Sequence, residues 1–472
     1  MLFNSLIFII FGVIFYSVWV LLGRQRHRLV WLTTMSLLFY GWGDWRFLFL
    51  LLGNGLIDFY AALLIERFPA RKRWFLFASL AGNLGCLAVF KYLGFFTTNL
   101  NALTHALHSG WQVPIIQLAL PFGISFYTFH SMSYTIDVYR GHMRPVHSLW
   151  RFLAFLSMFP ALVAGPIMRG AKLLPQLEDF RRTTEQDRWD GLKLIAQGFF
   201  MKTIVADNLA PVVNEAFAAA TPAASLPYWW LIVTMFAMQI YCDFCGYSLI
   251  ALGLGRWLGL ELPENFRHPY ASRSIQEFWT RWHISLSTWF RDYVYIPLGG
   301  SRDGAAAAYR NMWLTMLISG LWHGADWTFI VWGAVHAAFL TFERMFKLPE
   351  RLAQFAVGRF LAWTLLIVQV WIGWVFFRSD SLTQALRILG TMWDVRQLNP
   401  APVLELLALN QRAMAGFGVG ILMELGASGW FSRLRLPRLM LVGVASALAV
   451  ALILVTCVYW RGPGSAFIYF QF

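Results

Sequence analysis

Three of the ten histidines stand where an imidazole needs a reason. His283 lies in "RWHIS", His323 in "LWHGA" and His336 in "WGAVHAA". Each sits within or beside apolar sequence, where an ionisable group is costly and is a functional candidate by default. The bland alternative is a neutral ring bonded to a backbone carbonyl. The chemical one is a base: a neutral imidazole in a low-dielectric passage takes the proton of a hydroxyl as that oxygen attacks an acyl carbonyl. Such a site needs two entries, one for the activated acyl group and one for the acceptor alcohol. His323 and His336 are 13 residues apart. At 100° per residue they fall on different faces of a continuous helix and are not expected to form a local ligand pair. His27, His105, His108, His142 and His147 fall in predicted loops and read as ordinary surface rings.

Other chemistries lack their patterns. Zinc sites bring ligands at short fixed spacings such as H-E-x-x-H, and no such spacing occurs, so no metal is expected. "YCDFCGY" contains C-x-x-C, but inside an apolar segment, where it reads as two small hydrophobes on a helix face. Cys86, Cys242, Cys245 and Cys457 suggest no disulfide framework. Neither a G-x-S-x-G elbow nor a Walker-type phosphate loop is present.

The elements that must position these histidines are membrane spans. The 472 residues are 58% hydrophobic and 13% charged, about half the charge of a soluble chain. Mean hydropathy is +0.55. The apolar runs are long and continuous, which favours helices over the short alternating segments of a β-barrel. The fold class is therefore all-α: a polytopic membrane protein of about ten or eleven spans with re-entrant or interfacial helices. A net charge of +14 sits in short basic clusters between apolar runs. That follows the positive-inside rule and argues against a nucleic-acid partner. The same clusters suit an anionic acyl donor on the cytoplasmic side. "RQRHR" and "ERFPARKR" mark inside loops, which puts the N-terminus outside.

Along the chain, residues 2–22 read as a retained first span, and 74–92 as an outward span followed by an outside loop over 97–110. Residues 115–136 read as the next span. Two consecutive basic loops around the apolar stretch 150–163 break the alternation, and a re-entrant helix pair there repairs it. Residues 229–252, 327–342, 361–377, 415–425 and 439–459 supply later spans. The stretch 256–310 mixes Arg, His, Asp and Trp and suits amphipathic helices at an interface or around a polar cavity. No repeat or independent soluble domain is evident. One membrane domain over 1–472 is expected, with N-terminal spans in 1–110, a core in 115–345 that contains the polar insert, and C-terminal spans in 358–472.

Two long stretches carry a resemblance: "PENFRHPYASRSIQEFWTRWHISLSTWFRDYVYIPLGGSR" and "SGLWHGADWTFIVWGAVHA". With "PFGISFYTFHSMSYTIDVYRG", "FPALVAGPIMR", "QIYCDFCGYS", "IGWVFFR" and the terminal "FIYFQF", they resemble the membrane-bound O-acyltransferase superfamily, most closely its bacterial alginate O-acetyltransferase branch. The resemblance runs in family order over most of the chain. It implies many helices around a central tunnel in a bacterial inner membrane. The essential histidine of the family's W-H-G motif falls on His323, and its second histidine on His283. The implied donor is a cytoplasmic thioester, acetyl-CoA or another acyl thioester, with no tightly bound cofactor. The implied acceptor is outside, a polysaccharide or a periplasmic or membrane-anchored protein that passes the acyl group on. His323 acts as general base or carries the acyl group, and His283 orients a substrate or assists proton transfer. Trp282 and Trp322 wall the tunnel or pack. Arg291 and Asp292 pair with each other or line the cavity.

Cys245 stands where similar proteins have serine in "DFSGYS", a near-isosteric change. Two other readings compete. One is an acyl-group conduit without catalysis, whose usual paired repeats are missing from the sequence. The other is an acyltransferase with a lipid or peptide acceptor.

Overall fold

The computed structural model describes residues 1–427, apart from 2, 109, 117, 164, 220–222, 353 and 356. Among them every regular element is a helix. Five are long and apolar enough to cross a membrane: Arg46–Arg67, Pro69–Ala106, Leu226–Leu258, Trp327–Phe346 and Gly358–Arg378. The pair Ala401–Leu409 and Gln411–Glu424, bent by 95°, makes a sixth if it counts as one span. Leu6–Leu21 is apolar but has only 16 residues. The sequence predicts ten or eleven spans. The predicted span at 439–459, Cys457 and the terminal "FIYFQF" lie outside the described residues.

Two local expectations change. The sequence predicts a loop over 97–110, but the helix that starts at Lys72 passes through a π-helical turn, Ala88–Tyr92, and continues as Leu93–Ala106. Its polar side chains find partners on the way: Thr97 Oγ1 donates to the Leu93 carbonyl and Asn99 Nδ2 to that of Phe95, which removes the penalty of helical burial. The predicted span 115–136 instead begins as irregular chain, and its helix is Ile124–Tyr139. Pro114 and Pro121 cannot donate backbone hydrogen bonds, and Gly123 takes φ of 70°, outside the helical range. Over 150–163 the chain forms two short helices, Leu149–Ser157 and Phe159–Leu162, parted at Met158.

The chain divides into two compact units. The first holds Met1–Ile195 and Ala251–Pro263. Its polar centre is Asp58, fully buried on the span Arg46–Arg67. The carboxylate accepts hydrogen bonds from Ser79, Asn83, Ser131 and Thr135, which ties three helices to one group. Four neutral donors let a carboxylate stand in an apolar bundle that would otherwise reject it.

The second unit holds Ala196–Ile250 and the chain from Glu264 onward. Its aromatic and aliphatic core runs along Leu226–Leu258 and Gly358–Arg378. Lys202, in the π-helical turn Met201–Ala206, bonds Asp207 and Asp243 at 2.8 Å each. Helices Ala305–His323 and Trp327–Phe346 form a tight antiparallel pair. A Cβ at Gly320 would lie 2.2 Å from the Phe329 carbonyl oxygen, and one at Gly333 2.4 Å from that of Met316. Small residues at both crossing points let the backbones touch, as in other membrane helix pairs.

Candidate active site

His323 is the last residue of helix Ala305–His323. The chain breaks there because Gly324 is extended, and the next helix starts three residues later. Asp326 caps that helix by accepting the Thr328 N–H at 2.8 Å. The break puts His323 at the closed end of the helix pair, 5% exposed. Three rings stand edge to face around it: Trp322 at 4.9 Å between centroids, Trp332 at 5.0 Å and Phe377 at 5.3 Å. Such pairs fix a ring's orientation and keep water out.

His283 sits between two short helices, Ile275–Arg281 and Ile284–Phe290. Its φ of 42° is left-handed, a conformation that a non-glycine residue holds only when its surroundings impose it. Those surroundings are visible. The Asn265 carbonyl accepts the Ile284 N–H at 2.9 Å. The Asn265 side chain joins Ser248 to Ser285, donating to the first at 3.0 Å and accepting from the second at 2.6 Å. The His283 ring is fully buried, 4.6 Å from Phe244. Burial pushes its pKa down to about 3, so the ring is neutral at physiological pH.

Trp322 connects the two histidines. Its ring is 4.9 Å from that of His323 and 6.2 Å from that of His283. The two rings expected to act together thus border the same indole. Trp282, 1% exposed, belongs to an adjoining aromatic group with Phe266, Phe278 and Trp374. Arg291 and Asp292 pair with each other, Nε to Oδ1 at 2.7 Å. The Arg291 side chain is 59% exposed, so this is an ion pair at a surface.

His336 is also drawn in. It is not a ligand partner of His323, but both rings touch Trp332, at 4.8 and 5.0 Å. The helix break at Gly324 makes this possible, since the two histidines share no continuous helix. Sequence reasoning missed three further groups. Asn265 braces the His283 turn. Glu343 holds the first turn of Ile275–Arg281, accepting the Ile275 N–H. His268 and Tyr241 both bond Glu424, at 3.2 and 3.0 Å. None sits in a spacing that announces a partner; only the placement of Asn265 and His268 in the polar insert hinted at them. Among the described residues no three His, Cys, Asp or Glu side chains gather in a metal-ligating group.

The arrangement suits proton transfer inside a dry aromatic chamber. An imidazole fixed by three rings and shielded from bulk water is placed to accept a proton from a bound hydroxyl.

Comparison with known proteins bears on the same residues. The model of the membrane-bound O-acyltransferase family (MBOAT) matches residues 138–382, a stretch that includes both site histidines. The chain is 41% identical over 436 residues to a probable alginate O-acetylase AlgI of Pseudomonas syringae pv. tomato, covering 89% of this chain and 82% of that protein. A peptidoglycan O-acetyltransferase of Helicobacter pylori is 35% identical over 391 residues, covering 77% of this chain and 73% of the relative. A teichoic acid D-alanyltransferase of Bacillus subtilis is 29% identical over 243 residues, covering 48% and 59%.

Proposed function

This chain belongs to the membrane-bound O-acyltransferase family and is a multi-pass membrane acyltransferase, and from that premise we propose that it O-acetylates an exported polysaccharide. The donor is a cytoplasmic thioester such as acetyl-CoA. The acceptor is a hydroxyl outside the bacterial inner membrane, on a glycan or on a periplasmic or membrane-anchored protein that relays the acetyl group. The alginate and peptidoglycan named for its relatives support a polymeric acceptor. Ten or eleven helices around a tunnel, one membrane domain and an outside N-terminus belong to the same reading.

The observation that carries it is the enclosure of His323 by Trp322, Trp332 and Phe377, with His283 beside the same Trp322. In the proposed reaction His323 takes the proton of the acceptor hydroxyl as its oxygen bonds the thioester carbon. The tetrahedral intermediate collapses, the carbon–sulfur bond breaks, and the imidazolium returns its proton to the leaving thiolate. His283, neutral and held by its backbone turn, orients the acceptor. Trp322 borders both rings and so links the two groups proposed to act on the substrate pair.

The test is ester-linked acetyl on the exopolysaccharide of cells carrying wild type or His323→Ala at matched membrane levels. Loss of acetyl in the variant is expected, by at least the about 10² to 10⁴ that a general base contributes. Unchanged acetyl would overturn the mechanism and favour a conduit. Acetyl found instead on a lipid or a peptide would reassign the acceptor.

A further inference from the structure

One face of the second unit carries polar atoms that the proposed reaction does not use. Trp279, Trp332 and His336 form a closed triangle of rings, with centroids 5.7, 5.2 and 4.8 Å apart. The indole N–H groups of Trp279 and Trp332 and Nδ1 of His336 are buried and meet no hydrogen-bond partner among the described residues. Trp332 and His336 are each 1% exposed. Across from the triangle, helix Gly358–Arg378 presents Gly373. A Cβ there would come within 2.7 Å of His336 Nε2, so only glycine admits the ring. One turn earlier Gln369, 2% exposed, has an Oε1 that likewise meets no partner among the described residues.

A buried polar group left unpaired is costly, and several in one place are uncommon unless something satisfies them. Indole N–H groups only donate. They therefore await an acceptor oxygen. The rings that enclose them, with Phe377 and Gly373, carry no charge, and an anionic oxygen would be stranded there. A neutral carbonyl fits. The amide oxygen of Gln369, one turn from Gly373 on the same helix, completes the pattern: donors for a carbonyl oxygen, and an acceptor for an N–H. That is the complement of a secondary amide.

We propose that Trp279, Trp332, His336 and Gln369 form a subsite for a secondary amide in the arm of the acyl donor. It rests on the acyltransferase reading above and specifies what the donor must carry. The triangle is one indole away from His323, because Trp332 touches both histidines. In an N-acyl cysteamine thioester, the unit that ends coenzyme A, the amide carbonyl is five bonds from the acyl carbon. Extended, that is on the order of 6 Å. An amide seated on the triangle thus holds the thioester carbon beside the His323 ring. His336 is a binding residue here and moves no proton.

The experiment uses the full chain in native membranes, with labelled acetyl-CoA as donor and the cell's own exopolysaccharide as acceptor. Trp279→Phe keeps an aromatic ring and loses one N–H. His336→Leu loses the polar edge, and His336→Asn keeps a polar atom near the Nδ1 position. Trp279→Phe and His336→Leu are expected to raise the KM for acetyl-CoA about fivefold to tenfold with kcat within twofold, the worth of one hydrogen bond. His336→Asn is expected to restore most of that loss. With ethyl thioacetate, a thioester without an amide, wild type and variants are expected to react alike. Unchanged KM values, or losses confined to kcat, would overturn the subsite. So would an equal penalty with ethyl thioacetate, since that marks a packing role. If His336→Leu fails to accumulate, Trp279→Phe decides alone. Failure of the underlying reading looks different: wild-type membranes would then transfer no acetyl from any thioester, or would transfer it undiminished in His323→Ala.

Discussion

Glu343 accepts the Ile275 N–H with both carboxylate oxygens, at 3.0 and 2.9 Å. The bond joins a membrane span to the first turn of the short helix that ends beside His283. Ser274 caps the same turn, accepting the Glu277 N–H, while Glu277 reaches back to the Arg273 N–H. A helix of seven residues is not stable alone, so its position is borrowed from these anchors. Glu343→Ala is expected to remove about 1–3 kcal/mol of anchoring and to lower acetyl transfer roughly tenfold at matched membrane level. Glu343→Gln, which keeps an acceptor, falls between. Acetyl ester content of the exopolysaccharide checks both, and a full-activity Glu343→Ala would show that the helix holds its place without the carboxylate.

The helix pair that carries His323 and Trp332 depends on Gly320. Gly320→Ala places a methyl 2.2 Å from the Phe329 carbonyl, against backbone that cannot rotate away. Overpacking of this kind costs about 1–3 kcal/mol and moves His323 away from Trp332. The expected result is a folded, membrane-inserted protein of lower thermal stability with activity reduced by at least tenfold. Differential scanning fluorimetry in detergent and the acetyl assay measure the two effects.

Lys202 is the cation between two carboxylates, the buried Asp243 and the part-buried Asp207. Removing it leaves both without their counter-charge, which typically destabilises by about 3–5 kcal/mol. Lys202→Met should therefore deplete the protein from membranes, and adding Asp207→Asn and Asp243→Asn to it should restore part of the level. Immunoblots of isolated membranes decide this; a single variant present at wild-type level would count against the network.

The contact of His268 with Glu424 gives stability a pH dependence. The hydrogen bond to Glu424 raises the pKa of His268 above its ordinary value, and burial and Arg281 oppose it. A raised histidine stabilises the fold fully below the unfolded value of about 6.5, and the gain is lost as pH rises through the higher folded value. The histidine is 37% exposed, so the effect is modest. Melting temperature is expected to fall from pH 6 towards pH 9 by an increment that His268→Gln removes. A wild type and variant with parallel pH profiles would show that the pair contributes nothing.

Much of this protein is legible without coordinates. Composition and long apolar runs determine an all-helical membrane protein, because lipid leaves the backbone no other way to pair its own polar groups in such runs. The W-H-G stretch and R-W-H-I-S single out His323 and His283, because an imidazole in apolar sequence stands out by its cost. Hydropathy reads less well where local chemistry overrides it. Thr97 and Asn99 are polar but bond the preceding turn and stay helical, whereas 115–123 is apolar but is broken by Pro121 and Gly123. The tertiary structure alone decided the neighbours. That Trp322 borders both His283 and His323, that Trp332 joins His323 to His336, and that Glu343 holds the turn at Ile275 all depend on residues far apart in sequence or separated by a helix break. Periodicity assigns a residue to a face of its own helix. Which other helix meets that face is set by packing, and no spacing within one segment encodes it.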